Sequence, residues 1–273
     1  MRSARTNEEN MDLQVRDKGY LVIGGTAGMG LAGARTLAAD GASIVVVGRD
    51  QERADRAATE LVASGATKAK GLAFDVSVEG QAALAVQGGV DFLGRLDGIA
   101  ITTGTKGQMS IESSDDDWIA AFRDQLLGLS RCVEAALPHL IDTRGTIVTT
   151  AAYSVRAPEL VRLPYASLKG SVALFTKGIA KAYGKHGVRA NCIAPGAIET
   201  DSLHAMRHRI SEERGWPYES ALERVMTDEW GMHVALARPG KPEEVGDLIA
   251  FLLSPRAGYL TGALVNIDGG TDF

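Results

Sequence analysis

The apolar positions of this chain fall into two alternating rhythms. Short unbroken runs, such as Tyr20–Ile23 and Ser43–Val47, are followed by longer stretches, Leu31–Asp40 and Arg53–Ser64, whose apolar residues return every three or four positions. Runs apolar at successive rather than alternate positions predict strands buried on both faces, as in a parallel sheet covered by helices. Gly71–Val76, Leu96–Thr102, Gly145–Thr150, Val188–Ile193 and Ala263–Ile267 continue the series, with helical stretches between most of them. The pattern predicts an α/β, doubly wound Rossmann-type fold: about seven parallel strands flanked by helices.

One stretch breaks the rhythm. Residues 201–238 form a long insertion between a strand and the next helix, with helical patches and no strand. Long connections of this kind are commonly lids or binding segments. Leu203, Met206, Trp216, Tyr218, Met226, Trp230 and Met232 either line an apolar pocket there or pack the insertion onto the body. Residues 1–17 are polar and mixed in charge, and read as a flexible extension with neither a signal-peptide nor a transit-peptide pattern. Residues 18–273 are expected to form one dinucleotide-binding and catalytic domain.

Composition narrows the function. Glycine supplies 32 of 273 residues, about 12 % against roughly 7 % in average usage, which suits a protein of tight turns and close backbone approaches. The net charge of −5 is spread without long runs of one sign, so no nucleic-acid footprint or membrane-surface patch is predicted. Nor does any apolar run approach bilayer length. The two cysteines, Cys132 and Cys192, suggest neither a disulfide framework nor a zinc site, and a reducing, cytoplasmic location is expected.

Directly after the first strand comes Gly24-Gly25-Thr26-Ala27-Gly28-Met29-Gly30, and a helix follows. Glycines let the backbone approach a pyrophosphate, whose charge is stabilised by the N–H groups and dipole of the helix N-terminus. Thr26 adds a hydroxyl donor. Strand, glycine turn and helix in this order predict dinucleotide binding. The end of the second strand reads Val47-Gly48-Arg49-Asp50. Asp50 is placed to cap the next helix, whereas the Arg49 guanidinium suits the 2′-phosphate of NADP, with Gly48 leaving room beside it. NADP is therefore favoured over NAD, which stays possible.

Tyr165 and Lys169 stand four apart on one face of a helical stretch reaching about Tyr183. A free phenol, with a pKa of roughly 10, is a poor proton shuttle at neutral pH, so a neighbouring ammonium that favours phenolate is what acid–base work requires.

Taken together, these motifs resemble the short-chain dehydrogenase/reductase family from about Tyr20 to Phe273. Gly24, Gly28 and Gly30 match its Gly-x-x-x-Gly-x-Gly turn, Asp75-Val76 its adenine contact, and Tyr165 with Lys169 its Tyr-x-x-x-Lys signature. Asn191–Thr200, containing Pro195, Gly196, Ile198 and Thr200, is similar to the segment that closes over the nicotinamide. Arg238–Val245, Thr261-Gly262 and Asp268-Gly269-Gly270 resemble C-terminal signatures of the family. The resemblance implies hydride transfer between nicotinamide C4 and a substrate carbon. Tyr165 would exchange the proton at the carbonyl or alcohol oxygen, while Lys169 holds the nicotinamide ribose and lowers the tyrosine pKa. It also implies a homodimer or homotetramer built through the helices at 117–140 and 164–183.

Three positions depart from the family pattern. Its Asn-Asn-Ala-Gly is here Ile101-Thr102-Thr103-Gly104, which keeps the glycine and loses the amides. Its catalytic asparagine aligns with Gln125, one methylene longer. Its catalytic serine aligns with Ala152, which cannot donate a hydrogen bond; Ser154 is the expected substitute, with Tyr153 as another donor.

Two functions follow. One is an NADP-preferring oxidoreductase acting on a small-molecule carbonyl or alcohol; the other is a low-turnover dinucleotide-binding protein with a regulatory or assembly role. No metal site is expected: Asp115-Asp116-Asp117 read as helix-capping acids, and His204 with His208 lack a third ligand. Arg207, His208 and Arg209 are read as a solvated helix face.

Overall fold

The computed structural model describes residues 11–104, 110–158, 163–229 and 233–271. Trp230 and Met232 of the insertion lie outside the described residues. Seven strands form one parallel sheet: β1 (Gly19–Ile23), β2 (Ser43–Gly48), β3 (Lys68–Ala73), β4 (Gly98–Ile101), β5 (Thr146–Thr150), β6 (Arg189–Pro195) and β7 (Leu264–Ile267), in the order β3-β2-β1-β4-β5-β6-β7. The order reverses between β1 and β4, where the chain leaves one half of the sheet to begin the other. A crevice opens outside the carboxyl ends of the strands at such a reversal.

Helices cover both faces. On one side α1 (Gly28–Ala39), α2 (Gln51–Ala63) and α9 (Pro242–Leu253) flank the sheet; on the other lie α3 (Gln81–Leu93), α4 (Asp115–Phe122), α5 (Gly128–Thr143) and α6 (Leu163–Tyr183). The two faces of β1 show why its run is apolar throughout: Leu21 and Ile23 enter one core, Tyr20 and Val22 the other. Helices α1 and α9 meet on small residues. A Cβ on Gly246 would stand 2.6 Å from the Ala32 carbonyl carbon, and one on Gly33 3.0 Å from Ile249 Cγ2. No helix among the described residues is long and apolar enough to cross a membrane.

Three boundaries differ from the sequence expectation. Strand β3 starts three residues earlier than the apolar run, at Lys68, and ends before Asp75-Val76. As an edge strand it alternates lysines with small residues, and the Lys68 ammonium donates to the carbonyls of Phe92 and Leu93. Helix α1 begins at Gly28 rather than Leu31, inside the glycine turn. Finally, Met11–Asp17 is packed rather than loose: Leu13 and Val15 are buried, the Leu13 N–H donates to the Asp40 carboxylate, and the Asp17 N–H donates to the Gly41 carbonyl.

The insertion folds as α7 (Asp201–Arg214), α8 (Tyr218–Arg224) and a π-helical turn (Val225–Glu229). Ile210, Ala221, Leu222, Val225 and Met226 form a separate small core with Tyr153 of the post-β5 turn, and Leu203, Met206 and Trp216 pack around it. Arg207 is not solvated as expected: it is buried and ion-paired to Glu223. The His204 imidazole shares a 3.0 Å hydrogen bond with the Tyr218 hydroxyl.

Candidate active site

The phosphate turn is built by β1 and α1. After Ile23 the chain turns sharply, with Gly24 and Gly28 at φ +81° and +52°, values that side chains disfavour. Gly30 is required for a different reason: a Cβ there would lie 2.5 Å from both the Gly24 carbonyl oxygen and the Thr102 hydroxyl. Thr102 anchors the turn from β4, its hydroxyl donating to the Ile23 carbonyl at 3.1 Å. The N-cap residue of α1, Ala27, offers no side-chain cap, and no acid occupies the first turn of the helix. These first N–H groups and the helix dipole suit an anion, so the residues present fit a pyrophosphate.

At the end of β2 the expected division of labour holds for Asp50, whose carboxylate accepts from the Arg53 N–H at 2.7 Å and caps α2. Arg49 is exposed and forms no ion pair among the described residues. Gly48 plays a different part from the one expected. A Cβ at Gly48 would stand 2.6 Å from Thr26 Oγ1, so the space beside it is filled by the Thr26 side chain. Thr26 is thereby held against β2.

Asp75 follows β3, where its carboxylate accepts from the Ser77 N–H at 3.0 Å and hydroxyl at 2.6 Å. Val76 is buried in the same core cluster as Leu129 and Val133. Thr103 packs on the glycine turn, its Cγ2 lying 3.2 Å from where a Gly24 Cβ would be. Across the crevice, Pro195 ends β6, Gly196 rides on the Asp268 backbone, and Ile198 is buried and bridged to Gly240. Thr200 immediately precedes α7, and its Cγ2 comes to 3.3 Å of a Cβ built on Gly28. The segment after β6 therefore reaches back to the phosphate turn.

Helix α6 carries Tyr165 and Lys169. The Lys169 side chain is 2 % exposed, and its ammonium donates to the Thr150 carbonyl at 3.2 Å and stands 5.7 Å from the centre of the Tyr165 ring. A Cβ on Gly104 would lie 3.1 Å from Lys169 Nζ and 3.4 Å from Gln125 Cγ, so glycine at this position leaves room for both the lysine and the buried glutamine to approach the backbone. Gln125 sits in a π-helical turn, Arg123–Leu127, that joins α4 to α5. Such turns add a residue to the helix and re-aim its side chains, frequently at functional sites. Burial pushes the Lys169 ammonium down to about 8, against the opposing fields of Cys192 and Asp124.

Two donors were expected near Tyr165 in place of Ala152, which is itself buried. Ser154 is 1 % exposed, and its hydroxyl has no hydrogen-bond partner among the described residues. Tyr153 instead joins the core of the insertion. Asp124, beside the buried Gln125, belongs to no motif that would single it out in the sequence. One of its carboxylate oxygens is buried without a hydrogen-bond partner among the described residues. Of the three acids at 115–117, Asp117 caps, as Ser114 Oγ and the Asp117 carboxylate exchange hydrogen bonds with each other's backbone, while Asp115 and Asp116 lie in the first turn of α4. Among the described residues no group of three His, Cys, Asp or Glu side chains could hold a metal.

Comparison with known proteins agrees with this geometry. Residues 24–272 match the family described as enoyl-(acyl carrier protein) reductase. The chain is 31 % identical to the short-chain reductase protein NovJ of Streptomyces niveus, over 92 % of each chain. It is also 31 % identical to meso-2,3-butanediol dehydrogenase of Serratia marcescens, over 93 % of this chain and 94 % of that one. L-Sorbose reductase of Gluconobacter frateurii, solved with NADPH and L-sorbose, superposes with a TM-score of 0.89 at 27 % identity, over 95 % of this chain and 98 % of that one. With its parallel sheet, glycine turn and a helix carrying Tyr165 and the buried Lys169, the chain belongs to the short-chain dehydrogenase/reductase family of oxidoreductases.

Proposed function

We propose that this protein is an NADP-preferring oxidoreductase that interconverts a small carbonyl compound and its alcohol, with Tyr165 as the acid–base group. The observation that carries the reading is the buried Lys169 ammonium. It is held by the Thr150 carbonyl close to the Tyr165 ring, with Gly104 leaving room for it and for Gln125, at the same sheet edge as the start of helix α1, where Ala27 offers no side-chain cap.

The bound nicotinamide supplies or accepts the hydride. Gly24, Thr26, Gly28, Met29 and Gly30 bind the pyrophosphate side, Asp75, Val76, Thr103 and Gly104 border the adenosine and ribose, and Pro195, Gly196, Ile198 and Thr200 close the nicotinamide side. Arg49 takes the 2′-phosphate. Its exposed guanidinium, without an ion pair among the described residues, supports NADP over NAD, as does the engagement of Asp50 in capping α2; L-sorbose reductase, solved with NADPH, is in accord. Lys169, a cation with donors to spare beyond Thr150, holds the ribose and lowers the phenol pKa of Tyr165. Tyr165 then gives its proton to the substrate oxygen in reduction and takes it back in oxidation. Ser154 supplies the second donor to that oxygen in place of Ala152, and the Gln125 amide holds a water in the relay that returns a proton to Tyr165. Residues 201–238 act as the lid of one domain, and their apolar cluster around Tyr153 favours a partly apolar substrate.

The free, buried thiols of Cys132 and Cys192 accord with a reducing, cytoplasmic setting. Exposed Ile119 and Phe122 on α4 and Leu174 on α6 accord with a homodimer or homotetramer through these helices. The test is hydride transfer from NADPH to a panel of small ketones. Wild type is expected to turn over at least one, and Tyr165→Phe to lose on the order of 10²–10⁴ in kcat while retaining NADPH. Tight NADPH binding with no turnover above the Tyr165→Phe background would leave only the low-turnover binding protein.

A further inference from the structure

One ion pair lies across the mouth of the cofactor crevice. The Arg53 guanidinium donates to the Asp201 carboxylate at 3.0 Å, joining α2 to the first residue of α7. These helices start from distant strands. Helix α2 follows β2 and α7 follows β6, with β1, β4 and β5 between them. Four strand spacings of about 4.8 Å separate the two strands, roughly 19 Å. The segment after β6 covers that span by running back along the carboxyl edge of the sheet. It touches the phosphate turn where Thr200 meets Gly28, and it ends on Arg53.

The crevice at the β1/β4 reversal lies under this span, and its far end is fixed. The Asp50 cap holds the backbone of Arg53 in the first turn of α2. The Arg35–Glu60 and Arg56–Glu52 pairs, by contrast, stay within or between α1 and α2. We propose that Arg53 and Asp201 form a latch: their ion pair holds residues 196–201 down across the crevice and slows the release of a bound dinucleotide. The inference rests on dinucleotide binding and is independent of the preference for NADP. Both residues are positioning residues, acting through the segment they tether.

The test is stopped-flow release of NADH and of NADPH from the full-length protein, for wild type, Arg53→Gln, Asp201→Asn and the double variant. The pair is exposed, so each single substitution should raise the release rate roughly two- to five-fold at low ionic strength. The double variant should be no faster than either single one, because all three lack the same pair. Asp201→Glu, which keeps the charge, should stay within about twofold of wild type, and about 1 M salt should bring wild type to the variants' rate. Unchanged release rates, effects that multiply in the double variant, or a rise confined to NADPH would each overturn the latch. A wild type that binds neither nucleotide would remove the dinucleotide reading, and the latch with it.

Discussion

Lys169→Met is expected to make the protein more stable and catalytically inert. The Lys169 ammonium is 2 % exposed, and burial holds it at about 8, against an ordinary 10.5. At about 1.4 kcal/mol per tenfold change in proton affinity, keeping it charged at pH 7 costs roughly 3 kcal/mol of folding stability. Methionine has a similar length and no charge. Its substitution removes that cost and strands the Thr150 carbonyl, a loss of about 1 kcal/mol. A net gain of about 2 kcal/mol at pH 7 follows, read as a rise in urea midpoint at fixed protein concentration.

The pH dependence separates this cause from better packing. Below about 8 the lysine is protonated in both the folded and unfolded states, and the penalty is present in full. Between about 8 and 10.5 the folded state releases the proton while the unfolded state keeps it, so wild-type stability rises with pH. The advantage of Lys169→Met should therefore shrink steadily from pH 8 to pH 10. A variant less stable than wild type at pH 7, or a gain that does not change between pH 7 and 10, would refute the reasoning.

Two further substitutions address the cofactor and the missing donor. Arg49→Ala should weaken NADPH by roughly 10- to 100-fold, the worth of one charge-assisted contact, with little effect on NADH; equal losses in a fluorescence titration would remove Arg49 from the phosphate site. Ser154→Ala should lower kcat by on the order of 10²–10³ if its hydroxyl donates to the substrate oxygen. Because that hydroxyl is buried and unpartnered among the described residues, the same change should leave the melting temperature equal or higher. A stability loss with unchanged kcat would mark Ser154 as structural.

How far the sequence reveals this site depends on what each residue must satisfy. Strands buried on both faces, such as Ser43–Gly48, announce themselves because every position is apolar or small. Lys68–Ala73 does not, because an edge strand can carry a lysine such as Lys68, whose ammonium reaches helix carbonyls. The glycine turn is legible as a turn, but the start of α1 inside it is not, since glycine favours neither state. Gly48 shows a subtler limit: small size leaves room, and only the fold reveals that Thr26 occupies it. The π-helical turn at Gln125 has no signature in residue type, and the Arg53–Asp201 pair joins surface residues 148 positions apart.

The contact between α1 and α9 bears on how the protein is made. The phosphate turn belongs to the first strand and helix, yet α1 reaches its final packing only when Gly246 and Ile249 close on Ala32 and Gly33. A chain emerging from the ribosome at roughly 5–20 residues per second would hold its nucleotide-binding helix half-covered for many seconds. Prematurely terminated chains would carry the complete glycine motif and still lack its support. Full packing of the helix that starts in the phosphate turn therefore waits on the synthesis of α9, the other half of its interface.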